Sequence, residues 1–158
     1  MKQRQQKKLS RRLFEAVMAG DAMHTRALLR SGASPERRNS DGTTPLYLAS
    51  VQGDAETARL LMEAGAFPDT ESGGLGSEDT PLCAAACWGH TETIRQLLTH
   101  GADPSLREDH GTGMSPLDWA NNGPHSDAAE ILRAAGARRG GADSSPSPQP
   151  TPPRRSLS

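Results

Sequence analysis

Four copies of one short motif, set at nearly equal intervals, constrain this chain more than any other feature. Leu28-Leu29-Arg30-Ser31-Gly32-Ala33, Leu61-Met62-Glu63-Ala64-Gly65-Ala66, Leu97-Leu98-Thr99-His100-Gly101-Ala102 and Leu132-Arg133-Ala134-Ala135-Gly136-Ala137 share one pattern, with glycines 33, 36 and 35 residues apart. A second motif is locked to the first. Thr44-Pro45-Leu46, Thr80-Pro81-Leu82 and Ser115-Pro116-Leu117 each begin 21 residues before their glycine. Counting back the same interval from Gly32 reaches Arg11-Arg12-Leu13, which keeps the leucine alone. A repeat of this length makes a supersecondary unit that stacks on its neighbours.

Within a unit, Thr or Ser caps a helix and Pro takes the first helical position, where it removes no needed donor. A short Leu/Ala-rich helix follows and stops at Gly53, at Gly89 and at Gly123-Pro124. A second helix begins near Asp54, Thr91 or Ser126 and ends at the Gly-Ala pair, whose glycine suits a left-handed helix stop. One such hairpin is too short to bury its own apolar face, so neighbouring units must share a core. Composition agrees. With 21 alanines against 3% aromatic residues, thin layers of small helices are expected rather than a thick core.

The pattern G-x-T-P-L-x-x-A-x-x-x-G…L-L-x-x-G-A, read at Gly42 to Ala66, again from Thr80 to Ala102 and more loosely from Gly113 to Ala137, resembles the ankyrin-repeat family. The Arg- and Ala-rich composition looks most like the small stand-alone arrays of high-GC bacteria. The resemblance implies an all-α solenoid of about four helix-turn-helix units joined by β-turn or finger loops, covering residues 10–138. The units fall at about 10–42, 43–78, 79–113 and 114–138, the first resembling an N-terminal capping repeat. A basic arm is expected over residues 1–9, and a disordered Pro/Ser/Arg-rich tail over 139–158. The histidine that the family carries after Thr-Pro-Leu is replaced by Tyr47, Cys83 and Asp118, so weaker links between turns are expected. The connection from Thr70 to Asp79 is three residues longer than the basic period and rich in glycine and acid, which predicts a longer, more mobile finger.

Charge is distributed unevenly. Residues 1–12 carry six basic groups and no acid, residues 13–137 carry 8 basic against 18 acidic, and residues 138–158 carry four arginines and one aspartate. An acidic body argues against nucleic acid docking there, because phosphate binding needs a positive surface. No apolar run approaches the ~20 residues of a membrane span. The apolar stretch after the basic start is broken at Glu15 and Gly20, against a secretory leader. Two cysteines are too few for a disulfide framework. A monomeric, cytoplasmic protein is expected.

No catalytic signature or phosphate-cradling loop is present, and Gly73-Gly74-Leu75-Gly76 reads as part of the finger. Cys83, Cys87 and His90 have an i, i+4, i+7 spacing, yet Gly89 breaks their common helix face and zinc needs converging ligands. Catalytic, cofactor and metal residues are therefore expected to be none. The resemblance points instead to a non-enzymatic protein-protein interaction module, contacting its partner through the groove and the turn tips. By register, Trp88 with Cys87 lies on the groove side, beside the equivalent Val51-Gln52 and Asn122, and an exposed tryptophan makes a binding anchor. Trp119 is expected in the core. Asp41, Thr43, Asp79 and Met114 are expected at the tips, where Asp41, Glu78-Asp79 and Glu108-Asp109 line one edge with acid suited to a partner with a basic face. The alternative is a nucleic-acid or anionic-surface binder acting through the basic N-terminal arm. Pro150-Thr151-Pro152-Pro153-Arg154-Arg155 also matches a P-x-x-P-x-R docking pattern.

Overall fold

A computed structural model describes residues 2–73 and 78–136 of the chain. In order these form α1 (Lys2–Met18), α2 (Ala22–Arg30), α3 (Pro45–Gln52), α4 (Ala55–Glu63), β1 (Ser72–Gly73), β2 (Glu78–Asp79), α5 (Pro81–Cys87), α6 (Thr91–Thr99), the tight turn α7 (Glu108–Gly111), α8 (Pro116–Asn122) and α9 (Ser126–Ala134). The Thr-Pro and Ser-Pro steps open helices as their chemistry dictates. Thr44 Oγ1 accepts the Tyr47 N–H (3.2 Å), Thr80 Oγ1 that of Cys83 (3.1 Å) and Ser115 Oγ that of Asp118 (3.1 Å).

α1, α3, α5 and α8 stand side by side as an inner layer, and α2, α4, α6 and α9 form an outer one, each hairpin packing on the next. The shared core between the layers holds Leu13, Val17, Leu46, Leu61, Leu82, Ile94, Leu97 and Leu132, all essentially inaccessible to solvent. Ala49, Ala84, Ala85, Ala86 and Ala120 are also buried on the inner helices, where small side chains let the layers close up.

Unit one departs from the expected boundary at residues 9 and 10, which falls inside α1. Lys, Arg and Gln are good helix formers, and nothing before Gly20 stops the helix. With no Thr-Pro start, α1 extends ten residues ahead of Arg12, the position in register with Pro45. Gln6 Nε2 ties this extension to Gly32 O (2.8 Å).

The long connection is built on a short antiparallel ladder, with Ser72 opposite Asp79 and Gly73 opposite Glu78. Its expected mobile part, like the expected tail, lies outside the described residues. Coupling between turns is stronger than the missing histidines suggested, because other residues supply it. Tyr47 donates its hydroxyl to Asp79 Oδ2 (3.0 Å). Glu36 accepts the Phe67 N–H (2.6 Å) and the Thr70 hydroxyl (3.1 Å), and Asp69 Oδ1 accepts the Asp103 N–H (2.9 Å). Arg38 Nη2 reaches Glu71 O (2.7 Å), and the Glu71 carboxylate holds His110 through its backbone N–H (3.0 Å) and Nδ1 (2.9 Å). That clamp restrains a turn in which Asp109 and His110 are both left-handed (φ 49° and 54°). Such a conformation costs a non-glycine residue roughly 1–2 kcal/mol.

Gly53 and Gly89 end the inner helices of units two and three in the left-handed region (φ 72° and 69°), and a histidine of the following unit lies over each. A β-carbon on Gly89 would collide with the His125 ring. Gly89→Ala is therefore expected to lower stability by roughly 1–2 kcal/mol from the backbone alone, read as a drop in thermal midpoint. His125→Ala in the same chain should recover the part caused by the ring; no recovery would place the whole cost in the backbone.

Candidate functional site

The C-terminal ends of the inner helices form one row. α3 closes at Gly53 and α5 at Trp88, just before Gly89, so the residues expected on the groove side sit at equivalent helix ends. Trp88 caps α5 and is 61% exposed, with Cys87 half-buried beside it. Val51 is half-buried and its carbonyl accepts from His90 Nε2 (3.0 Å), while Gln52 is exposed and donates to Met18 O (3.0 Å). Asn122 is exposed at the end of α8. Met18, 62% exposed, continues the row into unit one. Its register with Val51 and Cys87 was available in the sequence, but unit one lacks the Thr-Pro-Leu marker that fixes the alignment.

The expected tip residues lie at the other end of the inner helices, about 10 Å away along helices of seven or eight residues. Asp41 is exposed in a turn held by Asn39, whose side-chain oxygen accepts the N–H groups of Asp41 and Thr43 (both 2.9 Å). Thr43 and Met114 are half-buried, and Met114 O accepts the Glu108 N–H (3.1 Å). The nine predicted residues thus divide into a row at the helix C-termini and a set at the finger bases.

The expected acidic edge needs correction. Asp79 is half-buried and Glu108 buried, so neither is a solvated tip. Glu108 turns inward because Trp119 Nε1 donates to it (3.1 Å) and the Met114 N–H faces its other oxygen (3.4 Å). Trp119 is accordingly half-buried against the core, with its indole nitrogen satisfied by a carboxylate.

Oxygen atoms of Asp79 and Glu108 and the Cys83 sulfur lie within 4.8 Å of one another. Burial first, and then the Glu108 charge, push the Asp79 carboxyl up from its ordinary 3.8 to about 7. Burial also raises the Cys83 thiol and the Tyr47 hydroxyl far above their usual ranges. A metal ion takes a thiolate and carboxylates; here burial favours the protonated Cys83 thiol, and the carboxyls already accept the hydrogens of Tyr47 and Trp119. What the group holds is an Asp79 carboxyl raised by burial and by the neighbouring Glu108, inside a hydrogen-bonded set that joins three units. Cys83, Cys87 and His90 do not gather among the described residues: His90 turns away to Val51 O.

A family model described as ankyrin repeats (3 copies) matches residues 68–140, and one described as an ankyrin repeat matches residues 41–72. Together they cover residues 41–140 of the 158. No curated protein matches the chain. No helix among the described residues is long and apolar enough to cross a membrane.

Proposed function

This chain belongs to the ankyrin-repeat family, and from that premise we propose that it is a non-enzymatic, cytoplasmic and monomeric module that binds one protein partner through the open face of its inner helices. Arrays of this family are in general protein-protein interaction modules and typically carry no catalysis. The observation that carries the reading is Trp88, 61% exposed at the end of α5 next to Cys87, with Val51 and Gln52 at the equivalent helix end of the unit before. A large apolar ring with few rotatable bonds, held out on a rigid helix, buries much area at low entropic cost. With about 800 Å² per partner as the usual interface size, the row from Met18 to Asn122 supplies the apolar centre. Asp41 and Thr43 supply polar contacts at the finger end. The electrostatic appeal to a basic-faced partner is narrowed to exposed acids such as Asp41, since Asp79 and Glu108 point inward.

Trp88→Ala should lower recovery of the partner from native lysate by about tenfold or more. It should leave the thermal midpoint within about 2 °C of the parent, as befits an exposed position. A collapse of the midpoint would make Trp88 a packing residue and sink the assignment.

A further inference from the structure

The extension of α1 creates a second surface at the opposite end of the array from the last repeat. In later units the chain ahead of the inner helix forms a finger; in unit one that place is taken by helix. The extra turns of α1 stand beside the first finger and leave a cleft of about 730 Å³ between them, within the size range of binding clefts. Arg4, Lys7, Lys8 and Arg11 line its helical wall, and Arg37 and Arg38 face them from the finger, with no acidic residue in the lining. Arg11 is drawn off by Glu15 (3.6 Å) and Arg38 by backbone carbonyls of the second finger and its own turn. Arg4, Lys7, Lys8 and Arg37 have no ion-pair partner among the described residues. Ser10 and Phe14 also line the cleft, and Ser10, 7% exposed, carries a hydroxyl without a hydrogen-bond partner.

We propose that this cleft is a docking site for a short acidic peptide segment, rich in Asp or Glu, of a protein partner. Packing holds cations on both walls close together, and an anion between them relieves that repulsion. The cleft suits a short segment because the body beyond it is on balance acidic. Residues 13–137 carry 8 basic against 18 acidic groups, so a long polyanion would run onto a negative surface. Single-stranded nucleic acid binds through phosphate contacts together with stacking on exposed aromatic faces, and Phe14, the aromatic residue of the lining, is only 9% exposed, which leaves no face to stack on. A bilayer surface is too flat to reach between two walls, and the exposed large apolar residues Met18, Met23, Phe67 and Trp88 lie outside the cleft lining. The site is independent of the Trp88 row.

The test uses the full chain and a fluorescent Glu-rich peptide, with single-stranded DNA and phosphatidylserine vesicles as competing probes, at low and at physiological salt. The peptide should bind and weaken with salt. The pair Lys7→Glu and Arg37→Glu should weaken it about tenfold or more. The pair Arg12→Glu and Arg26→Glu, which changes net charge equally outside the cleft, should change it less than about twofold. Trp88→Ala should leave it unchanged, which separates this site from the groove reading. Equal losses from both charge pairs, no peptide binding at low salt, or stronger binding of DNA or vesicles that is lost with Lys7→Glu and Arg37→Glu would each overturn the proposal. Helicity and thermal midpoint, followed in every variant, distinguish a lost site from a lost fold.

Discussion

Leu97→Ala should remove about 3–4 kcal/mol of folding stability, a large share of what a domain of this size has in total. Leu97 is fully buried on α6, the outer helix that packs against both α4 and α9. Truncation deletes apolar contacts on both sides, and the helices around it cannot close the hole without losing their stacking register. Urea unfolding gives the value directly. A loss below about 1 kcal/mol would mean that the outer layer is not packed around this side chain.

The second large effect concerns the carboxyl pair. The folded pKa of Asp79, about 7, lies above its ordinary value of 3.8. Between these values the folded chain holds a proton that the unfolded chain releases. The stability tied to that proton is complete below the lower value and is lost as pH rises through the upper one. The parent protein should thus be more stable at pH 5 than at pH 8. The groups facing Asp79 include Tyr47 from α3, Cys83 and Cys87 from α5 and Glu108 from α7. Of these, Glu108 carries the opposing negative charge. Asp79→Asn keeps an acceptor for the Tyr47 hydroxyl and removes the repulsion. It should raise stability at pH 8 by about 2 kcal/mol, allowing for solvent screening at a half-buried site, and change little at pH 4. Thermal midpoints across this range check it. A variant less stable than the parent at pH 8 would show that the ionised pair is not opposed as described.

The stacking plan could be read from the sequence because it rests on local chemistry. Thr44, Thr80 and Ser115 cap, Pro45, Pro81 and Pro116 start, and Gly53 and Gly89 stop, each within a few residues of where it acts. The exposure of Trp88 followed from the same register. What could not be read depends on residues meeting across units. Glu108 looks like surface acid in the sequence; its burial is decided by Trp119, eleven residues on, and by the Met114 N–H, six residues on. The basic cleft was hidden for a related reason. Residues 2–11 have no apolar period to announce a helix, and Arg37 and Arg38 become their neighbours through the fold alone. The row of exposed residues needed one further member, Met18, in a unit whose markers are missing.

The ties between fingers also give the array a mechanical character. Apolar contacts between helices resist bending, because any bend opens the core. Polar ties such as Glu36 to Phe67, Asp69 to Asp103 and Glu71 to His110 sit away from that core and resist twisting. The last unit is tied to the finger before it in the same way, by Trp119 to Glu108 (3.1 Å) and Ser105 to Gly136 (3.3 Å). A torque applied at one end would therefore pass from finger to finger along the array, while the packed helices kept the shape of their face.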